Sequence, residues 1–479
     1  MPALPLNGPL FDHWRTASDA ESAFAVLNPA TGEVITSLRK ADAEEVDASV
    51  AKATAAFETW GRTTPAERAA ALLALADRLE AAGEDFARLE SANVGKPLAQ
   101  AREEIAYDAD VLRFMAGAVR VPHAMATGEY LPGRTSLVRR DPLGVVGLIT
   151  PWNYPLMEAL WKLAPALAAG NTVVIKPATV TPLSTVLFTQ MAQEVLPEGV
   201  LNLVVGDRTA GQAMVDHPDI RLVSLTGDGT TGKKVAAAAA ATLKRVHLEL
   251  GGKGPAVVFA DAELETAATE LAQTAFLNAG QDCSQPCRVI VEDSAYEAFT
   301  AAYLKTVAGL VCGAPDDEDS HFGPVISQRH LESVEGFVER ARAAGATVLT
   351  GGKRIDRPGF FYEPTVLTGV RQDDEIVQRE VFGPVVTIQR AADDEEMLAM
   401  ANGVEYGLAA SVWTSDVDRA LRFTTDLAFG TVWLNQHLVV ANEMPFGGFG
   451  QSGYGKELSA HAIDEYSQVK HIMLKAAHG

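Results

Sequence analysis

Cysteine is scarce: three residues (Cys283, Cys287 and Cys312) in a chain of 479. That is too few for a disulfide scaffold, so a reducing, cytoplasmic setting is expected. Cys283 and Cys287 also lack the nearby histidines of a zinc site, and no metal is expected. Positive charge is in deficit as well, 40 Lys and Arg standing against 62 Asp and Glu for a net charge of −22. Without a basic surface to neutralise phosphates, a nucleic-acid partner is excluded. An acidic field favours cationic small molecules over anionic ones. The opening MPALPLNGPLFDHW has no basic region followed by an apolar stretch, so no secretory leader is expected. The most apolar window, Leu143 to Trp161, is broken by Pro151, Pro155 and Glu158; no membrane partner is expected. No long-period repeat stands out, and no low-complexity segment exceeds the alanine run at 236–241.

What is present reads as a folded α/β protein. Apolar residues make up 47% and charged residues 21%. At roughly 150 residues per domain the length suggests two to four units. Apolar periodicity predicts helices over 43–60, 65–90 and 98–121. From Gly144 the pattern changes to short apolar runs, predicting buried strands at 144–149, 172–176, 199–205 and 222–226. Helical stretches near 156–169, 182–195 and 209–216 separate them. Such alternation implies a parallel sheet covered on both faces. A second series of strands, at 256–259, 288–291, 347–349, 385–389, 409–413 and 431–434, predicts a second α/β domain. The segments 129–141 and 468–475 read as strands outside both series, candidates for pairing across a subunit interface. The chain can bend at Gly251-Gly252, where the boundary is expected.

Three motifs carry chemistry. Gly227-Asp228-Gly229-Thr230-Thr231-Gly232 follows the strand RLVSLT and precedes a helix; it fits GxGxxG, a turn that offers helix N-terminal amides to a phosphate. A plain dinucleotide reading would make Glu249 the ribose ligand, but Glu249 belongs to a stronger pattern. That pattern joins His247-Leu248-Glu249-Leu250-Gly251-Gly252-Lys253, Asn278-Ala279-Gly280-Gln281-Asp282-Cys283 and Pro151-Trp152-Asn153-Tyr154-Pro155. Together they supply a thiol, a carboxylate and a side-chain amide donor, the parts needed for covalent catalysis at a carbonyl.

With PWNYP, WKLAPALAAGNTVVIKP, LELGGK, GQDC, EVFGPV and PFGGFGQSGYGKE standing in this order, the chain resembles the NAD(P)-dependent aldehyde dehydrogenases along essentially its whole length. The resemblance implies two Rossmann-like α/β domains plus a small β oligomerisation extension. Residues 1–121 and 142–250 would form the cofactor domain and 251–434 the catalytic domain. Residues 122–141 and 465–479 would give the oligomerisation strands, and 435–464 would return to the substrate tunnel. It implies Cys283 as nucleophile, Asn153 and the Cys283 amide as oxyanion hole, and Glu249 as the base that hydrolyses the thioester. Cys287, without the preceding Gly-Gln pair, is the weaker candidate thiol. Lys176 would bind the adenosine ribose of the cofactor. Ile149, Thr150, Trp152, Gly206, Gly211 and Leu250 would line its groove, Gly227, Asp228 and Gly232 its pyrophosphate turn, and Glu380 and Phe382 the nicotinamide riboside. The implied partner state is a homo-oligomer, tetramer or dimer.

Two positions depart from the family pattern. Lys176-Pro177-Ala178-Thr179 replaces Lys-Pro-Ser-Glu, so the carboxylate that grips a ribose diol is missing and Thr179 is free to donate to a 2′-phosphate; NADP stays open beside NAD. Asp228 stands where serine is usual, a carboxylate beside the expected pyrophosphate. For the substrate, Tyr154, Met157, Glu158 and Trp161 recur as one helical stripe. Glu103 and Tyr107 match a second tunnel wall, Asp282 and Ser284 flank the thiol, and Val440 and Phe446 match the far side. Acids and aromatics around one tunnel suit an aldehyde with a cationic far end. The strings RRDPLGVV, PWNYPLM, NAGQDC and SGYGKELSAHAIDEYSQVKHIM resemble bacterial γ-aminobutyraldehyde dehydrogenases, which implies oxidation of 4-aminobutanal to 4-aminobutanoate in putrescine catabolism. A betaine-aldehyde or broad ω-aminoaldehyde dehydrogenase is the alternative. A cofactor-free thiol hydrolase would need a histidine base; His247 is the nearest to the motif and precedes a buried strand, where a structural role is expected.

Overall fold

The computed structural model describes residues 4–15, 22–121 and 126–475. Residues 122–125 and 476–479 of the expected oligomerisation strands lie outside them. Helices Ala43–Trp60 and Pro65–Ala81 start where their sequence says they should. Asp42 and Thr64 cap them, each in a reciprocal box with the glutamate three residues on (Glu45, Glu67), a pairing worth about 1 kcal/mol per cap. The predicted single helix over 65–90 is instead two, Pro65–Ala81 and Gly83–Val94. Ala82 leaves helical geometry at φ −98° and ψ 12°, and the following glycine lets the chain restart at a new angle.

Around these helices lies a six-stranded sheet in the order Gly453–Tyr454, Arg245–Leu250, Ile220–Gly227, Val145–Ile149, Thr172–Lys176, Leu201–Leu203. All neighbours are parallel except the first pair. The chain leaves Val145–Ile149 toward one edge and returns beyond it to Ile220–Gly227, so the strand order reverses between these two. Ligands of doubly wound sheets bind at the carboxyl ends of strands at such a reversal. Every side chain of Thr172–Lys176 is buried, as a doubly covered parallel strand requires. The predicted strand at 199–205 shrinks to Leu201–Leu203 at the sheet edge.

Residues 255–434 build a seven-stranded sheet in the order Thr347–Thr350, Thr365–Thr368, Val385–Ala391, Arg288–Glu292, Pro255–Val258, Ala409–Trp413, Thr431–Leu434. The two sheets meet at 251–254, which lie between strands Arg245–Leu250 and Pro255–Val258. The following segment folds back: Phe446, Leu458, Ala462 and Tyr466 join the core of the first sheet. The predicted strand at 129–141 is a hairpin, Thr127–Leu131 and Arg134–Pro142, turned at Gly133 with φ 67°. Its second strand pairs along nine residues with Ser467–Lys475 of the same chain. No helix among the described residues is long and apolar enough to cross a membrane.

Candidate active site

Cys283 sits on a tight turn forced by three consecutive left-handed residues, Asn278 (φ 49°), Ala279 (φ 57°) and Gly280 (φ 69°). Two of these carry side chains, a strain that persists only where the surroundings fix it. A Cβ at Gly280 would stand 2.2 Å from the Gly383 carbonyl, so the turn is wedged against the segment that holds Glu380 and Phe382. Asn153, just before helix Pro155–Ala169, donates from Nδ2 to the Gln281 carbonyl at 3.0 Å, and Asn278 donates to the Asn153 carbonyl at 3.1 Å. The amide of Asn153 is thereby fixed against the turn that carries Cys283, with a second N–H proton left to donate. Cys283 is part-exposed at the end of a cavity of about 260 Å³. Burial pushes its thiol well above the ordinary value, and the charges of Glu249, Asp282, Glu158 and Glu380 push the same way.

Glu249 ends strand Arg245–Leu250, with 1% of its surface exposed. Neither carboxylate oxygen has a hydrogen-bond partner. Burial, then the nearby Glu158 and Glu457, raise its pKa well above the usual range. A buried carboxylate without partners costs several kcal/mol unless it is neutral or used. His247, two residues earlier, is not a competing base: Ser224 Oγ engages its Nδ1 at 2.8 Å, and burial lowers its pKa to about 3. Cys287 is buried, its Sγ 4.0 Å from the Gly254 carbonyl and bonded by the Lys253 side chain.

The cavity brings together every residue expected for the substrate: Glu103, Tyr107, Tyr154, Met157, Glu158, Trp161, Asp282, Ser284, Val440 and Phe446. Gln100, Glu104, Leu277 and Leu438 join them without having been foreseen. The charges are arranged differently from the sequence expectation. Glu158 is not a free acid for an ammonium; it accepts from Lys162 Nζ at 2.9 Å and from Thr226 Oγ1 at 3.0 Å. Lys162, fully buried, also bridges to Glu457. One signal could have shown this: Lys162 stands four residues after Glu158, on the same helical face. Asp282 is likewise engaged, accepting from Tyr154 Oη and from Ser284 N, both at 2.7 Å. Aromatic rings share the lining with aliphatic side chains and with Glu103 and Glu104. Trp161 packs edge-on against Tyr107 (centroids 6.4 Å) and Phe446 (5.4 Å). Glu103, exposed at the cavity rim, has neither an ion pair nor a hydrogen bond among the described residues.

The carboxyl ends of four parallel strands carry Ile149 and Thr150, Lys176, Gly227 and Asp228, and Glu249 and Leu250. Lys176 is buried with the Pro177 carbonyl, 3.2 Å away, as its hydrogen-bond acceptor, and Gly211 leaves room against its stem. Gly206 follows strand Leu201–Leu203 and accepts from Thr179 Oγ1 at 2.9 Å. That bond corrects the expectation for Thr179: its proton is committed, so it offers lone pairs outward, suited to a ribose hydroxyl and unsuited to a phosphate. Asp228 is the N-cap of helix Gly229–Ala239. It accepts from Thr230 N (2.9 Å) and Thr231 N (3.0 Å), and from the Thr231 hydroxyl. Burial works to raise its pKa, but the bonds from Thr231 and Thr230 outweigh it and hold the carboxylate below the usual range. The glycine-rich turn therefore does not offer those two amides to a phosphate, contrary to expectation; its own aspartate holds them. Gly232 allows the helix to press on Leu250, where a Cβ would come within 2.7 Å. Glu380 accepts from Gly252 N at 2.7 Å. Phe382, at φ 58°, is fixed by Trp152 edge-on (5.2 Å) and by His330, whose Nε2 meets the Phe382 carbonyl at 2.6 Å.

Of the three expected catalytic groups, the Cys283 thiol lines the cavity, the Asn153 amide is bonded to the turn that carries that thiol, and the Glu249 carboxylate is buried without a partner. The chain is 39% identical over 464 residues to betaine aldehyde dehydrogenase of Bacillus subtilis, covering 95% of each chain. It is 41% identical over 453 residues to an aldehyde dehydrogenase of Emericella nidulans, covering 94% of this chain and 91% of that one. A crystal structure of betaine aldehyde dehydrogenase from Staphylococcus aureus in complex with NAD+ superposes with a TM-score of 0.94 at 36% identity, covering 97% of this chain and 94% of that one. The model of the aldehyde dehydrogenase family matches residues 14–472, and the chain belongs to that family.

Proposed function

We propose that the protein oxidises an aldehyde carrying a quaternary ammonium group, of the betaine-aldehyde type, to its carboxylate with NAD. The observation that carries this reading is the wall of the substrate cavity. Glu158 is paired inside the protein with Lys162, while Tyr107, Trp161 and Phe446 present aromatic surface. A trimethylammonium group has no N–H to give a carboxylate and gains most from aromatic faces. The Bacillus subtilis and Staphylococcus aureus relatives, both named for betaine aldehyde, support the same choice. Free Glu103 at the rim favours a second reading, in which an ω-aminoaldehyde such as 4-aminobutanal enters with its ammonium toward that acid.

The cleft fits NAD on its own chemistry. Lys176 has donors to spare and the Thr150 hydroxyl is buried without a partner, so both would meet polar groups of a bound dinucleotide. Thr179 and the missing 2′-phosphate donor favour NAD over NADP. When bound, NAD supplies the acceptor for the hydride that leaves the aldehyde carbon. The protein's own groups do the rest. Cys283 gives up its thiol proton to solvent in the cavity and bonds through sulfur to the carbonyl carbon as the C=O π pair moves to oxygen, where Asn153 with the Cys283 amide holds the oxyanion. After oxidation the thioester is cleaved by a water whose proton goes to Glu249. Edge strand Ser467–Lys475, with Val469 and Leu474 exposed, is the surface we assign to a homo-oligomer.

Two measurements test this reading. In a kcat/KM panel of betaine aldehyde, 4-aminobutanal, 3-aminopropanal and hexanal with either cofactor, betaine aldehyde with NAD should rank first. Trp161→Ala should then lower the betaine-aldehyde value about 30-fold, from roughly 2 kcal/mol of desolvated cation–π contact, and the hexanal value far less. Equal losses would remove the aromatic wall from cation recognition, and a 4-aminobutanal preference would install the second reading.

The other measurement uses pH. Burial lowers Lys176 to a pKa of about 8. Its ammonium is therefore present below that value and lost above it, so the NAD dissociation constant should rise as pH passes through about 8. Lys176→Met should weaken binding at neutral pH and flatten that rise. An unchanged slope in the variant would assign the titration elsewhere.

A further inference from the structure

One buried histidine is used neither by the proposed chemistry nor by the cavity wall. His437 lies on the loop after strand Thr431–Leu434, between two residues in left-handed geometry, Asn435 (φ 51°) and Leu438 (φ 60°). Both ring nitrogens are engaged: Nδ1 with Ser411 Oγ and Nε2 with the Ser284 carbonyl, each at 2.8 Å. A carbonyl only accepts, so Nε2 carries the proton; neutral Nδ1 must then accept from the Ser411 hydroxyl. Ser411 in turn accepts from Trp413 Nε1 at 3.1 Å. The donors run one way, from Trp413 through Ser411 and His437 to the residue that follows Cys283. Burial lowers His437 to a pKa of about 4, which keeps the ring in that neutral form.

The same loop is fixed at its two ends. Asn435 exchanges hydrogen bonds with both backbone groups of Thr414, each at 2.9 Å. Trp433 Nε1 donates to the Val439 carbonyl at 2.8 Å. Just before and just after the second anchor, the loop delivers Leu438 and Val440 to the cavity. Ser284, on the opposite side, is already held by its N–H to Asp282. His437 is the bond that ties the nucleophile turn to the loop forming the cavity wall.

We propose that His437 is a positioning residue: through its Nε2–H bond to the Ser284 carbonyl it fixes Cys283 relative to Leu438 and Val440, and so sets where the aldehyde carbon meets the sulfur. The proposal rests on Cys283 as nucleophile. Misplacing reacting atoms by about 1 Å costs on the order of a hundredfold. Freeing the Ser284 carbonyl also leaves a buried acceptor without a donor.

The test compares two replacements in the full-length enzyme. His437→Phe keeps a ring beside Trp433, 4.7 Å away, and removes both hydrogen bonds. His437→Gln restores an N–H donor for Ser284 and an acceptor for Ser411. Activity is expressed per titrated Cys283 thiol, so that misfolded protein does not count. The expected result for His437→Phe is a kcat lowered at least tenfold with the NAD dissociation constant within twofold of wild type, and for His437→Gln a kcat within about threefold. If His437→Phe keeps its kcat, or if His437→Gln falls with it, the proposal is overturned. Should His437→Phe not fold, Ser411→Ala replaces it, because losing the hydroxyl that fixes the tautomer should lower kcat several-fold. An unchanged kcat there overturns the proposal equally. Wild-type enzyme alkylated at Cys283 separates the two assumptions: activity surviving alkylation would refute the nucleophile itself, whatever the His437 variants do.

Discussion

Cys283→Ala should abolish aldehyde oxidation, with a loss of at least about 10⁴-fold in kcat, while NAD binds as before. The size of the effect follows from what the turn contains. Removing the sulfur leaves the Asn153 amide and the Cys283 backbone N–H able to polarise a carbonyl, but nothing to bond with its carbon. Ser284 Oγ lies 3.9 Å from the sulfur, yet no base adjoins it, and an unactivated hydroxyl is a weak nucleophile at neutral pH. Cys287 offers no rescue, being 5% exposed and absent from the lining of the cavity. Cys287→Ala should accordingly retain most of the wild-type rate. Folding should hardly notice Cys283→Ala, because the thiol is part-exposed and makes no strong hydrogen bond. The measurement is NADH production under saturating aldehyde, beside fluorescence titration of NAD. Turnover within a hundredfold of wild type would move the nucleophile to another group. Lost NAD binding would mean that the turn, and not the sulfur, had been removed.

The sequence was informative where one force acts alone. Strands Thr172–Lys176 and Ala409–Trp413 were legible residue for residue, because a strand between parallel neighbours is a largely apolar run bounded by polar turns. The cavity lining was legible through the stripe Tyr154, Met157, Glu158 and Trp161, a pattern of helical spacing with one misplaced charge. What periodicity does not encode is the partner of a charge. Glu158 read as an acid awaiting a cation, and its cation is Lys162, one turn along the same helix. Asp228 read as a repulsive group beside a phosphate, and its oxygens are filled by the amides it caps. Neither correction changes the fold; the first gives one tunnel acid an internal partner, and the second fills the turn expected to hold a phosphate. The break at Ala82 and the hairpin at Gly133 were missed for a related reason. A helix or strand pattern continues through a point where the backbone changes direction, and only the glycine marks it.

Glu249→Gln should separate the two halves of the reaction. The first half needs the sulfur and the oxyanion donors, and none of these is altered, so one equivalent of NADH should appear rapidly. The second half needs a group that takes a proton from water. An amide of the same shape cannot do so; steady-state turnover should fall by about 10²–10⁴-fold, the usual contribution of a positioned base. The enzyme should accumulate as a thioester, visible as an added acyl mass on the peptide that holds Cys283. Wild-type pH dependence should point to the same residue. Burial, reinforced by Glu158 and Glu457, raises the Glu249 pKa. A base with a raised pKa is in its active, ionised form above that pKa and loses it as pH falls, so thioester hydrolysis in the wild type should slow on acidification while the burst persists. In Glu249→Gln that acid limb should vanish from the residual rate. A variant that turns over without a burst would place the slow step before hydrolysis. One that forms no NADH at all would show that Glu249 is needed to deprotonate Cys283, whose thiol its charge otherwise holds in the protonated form.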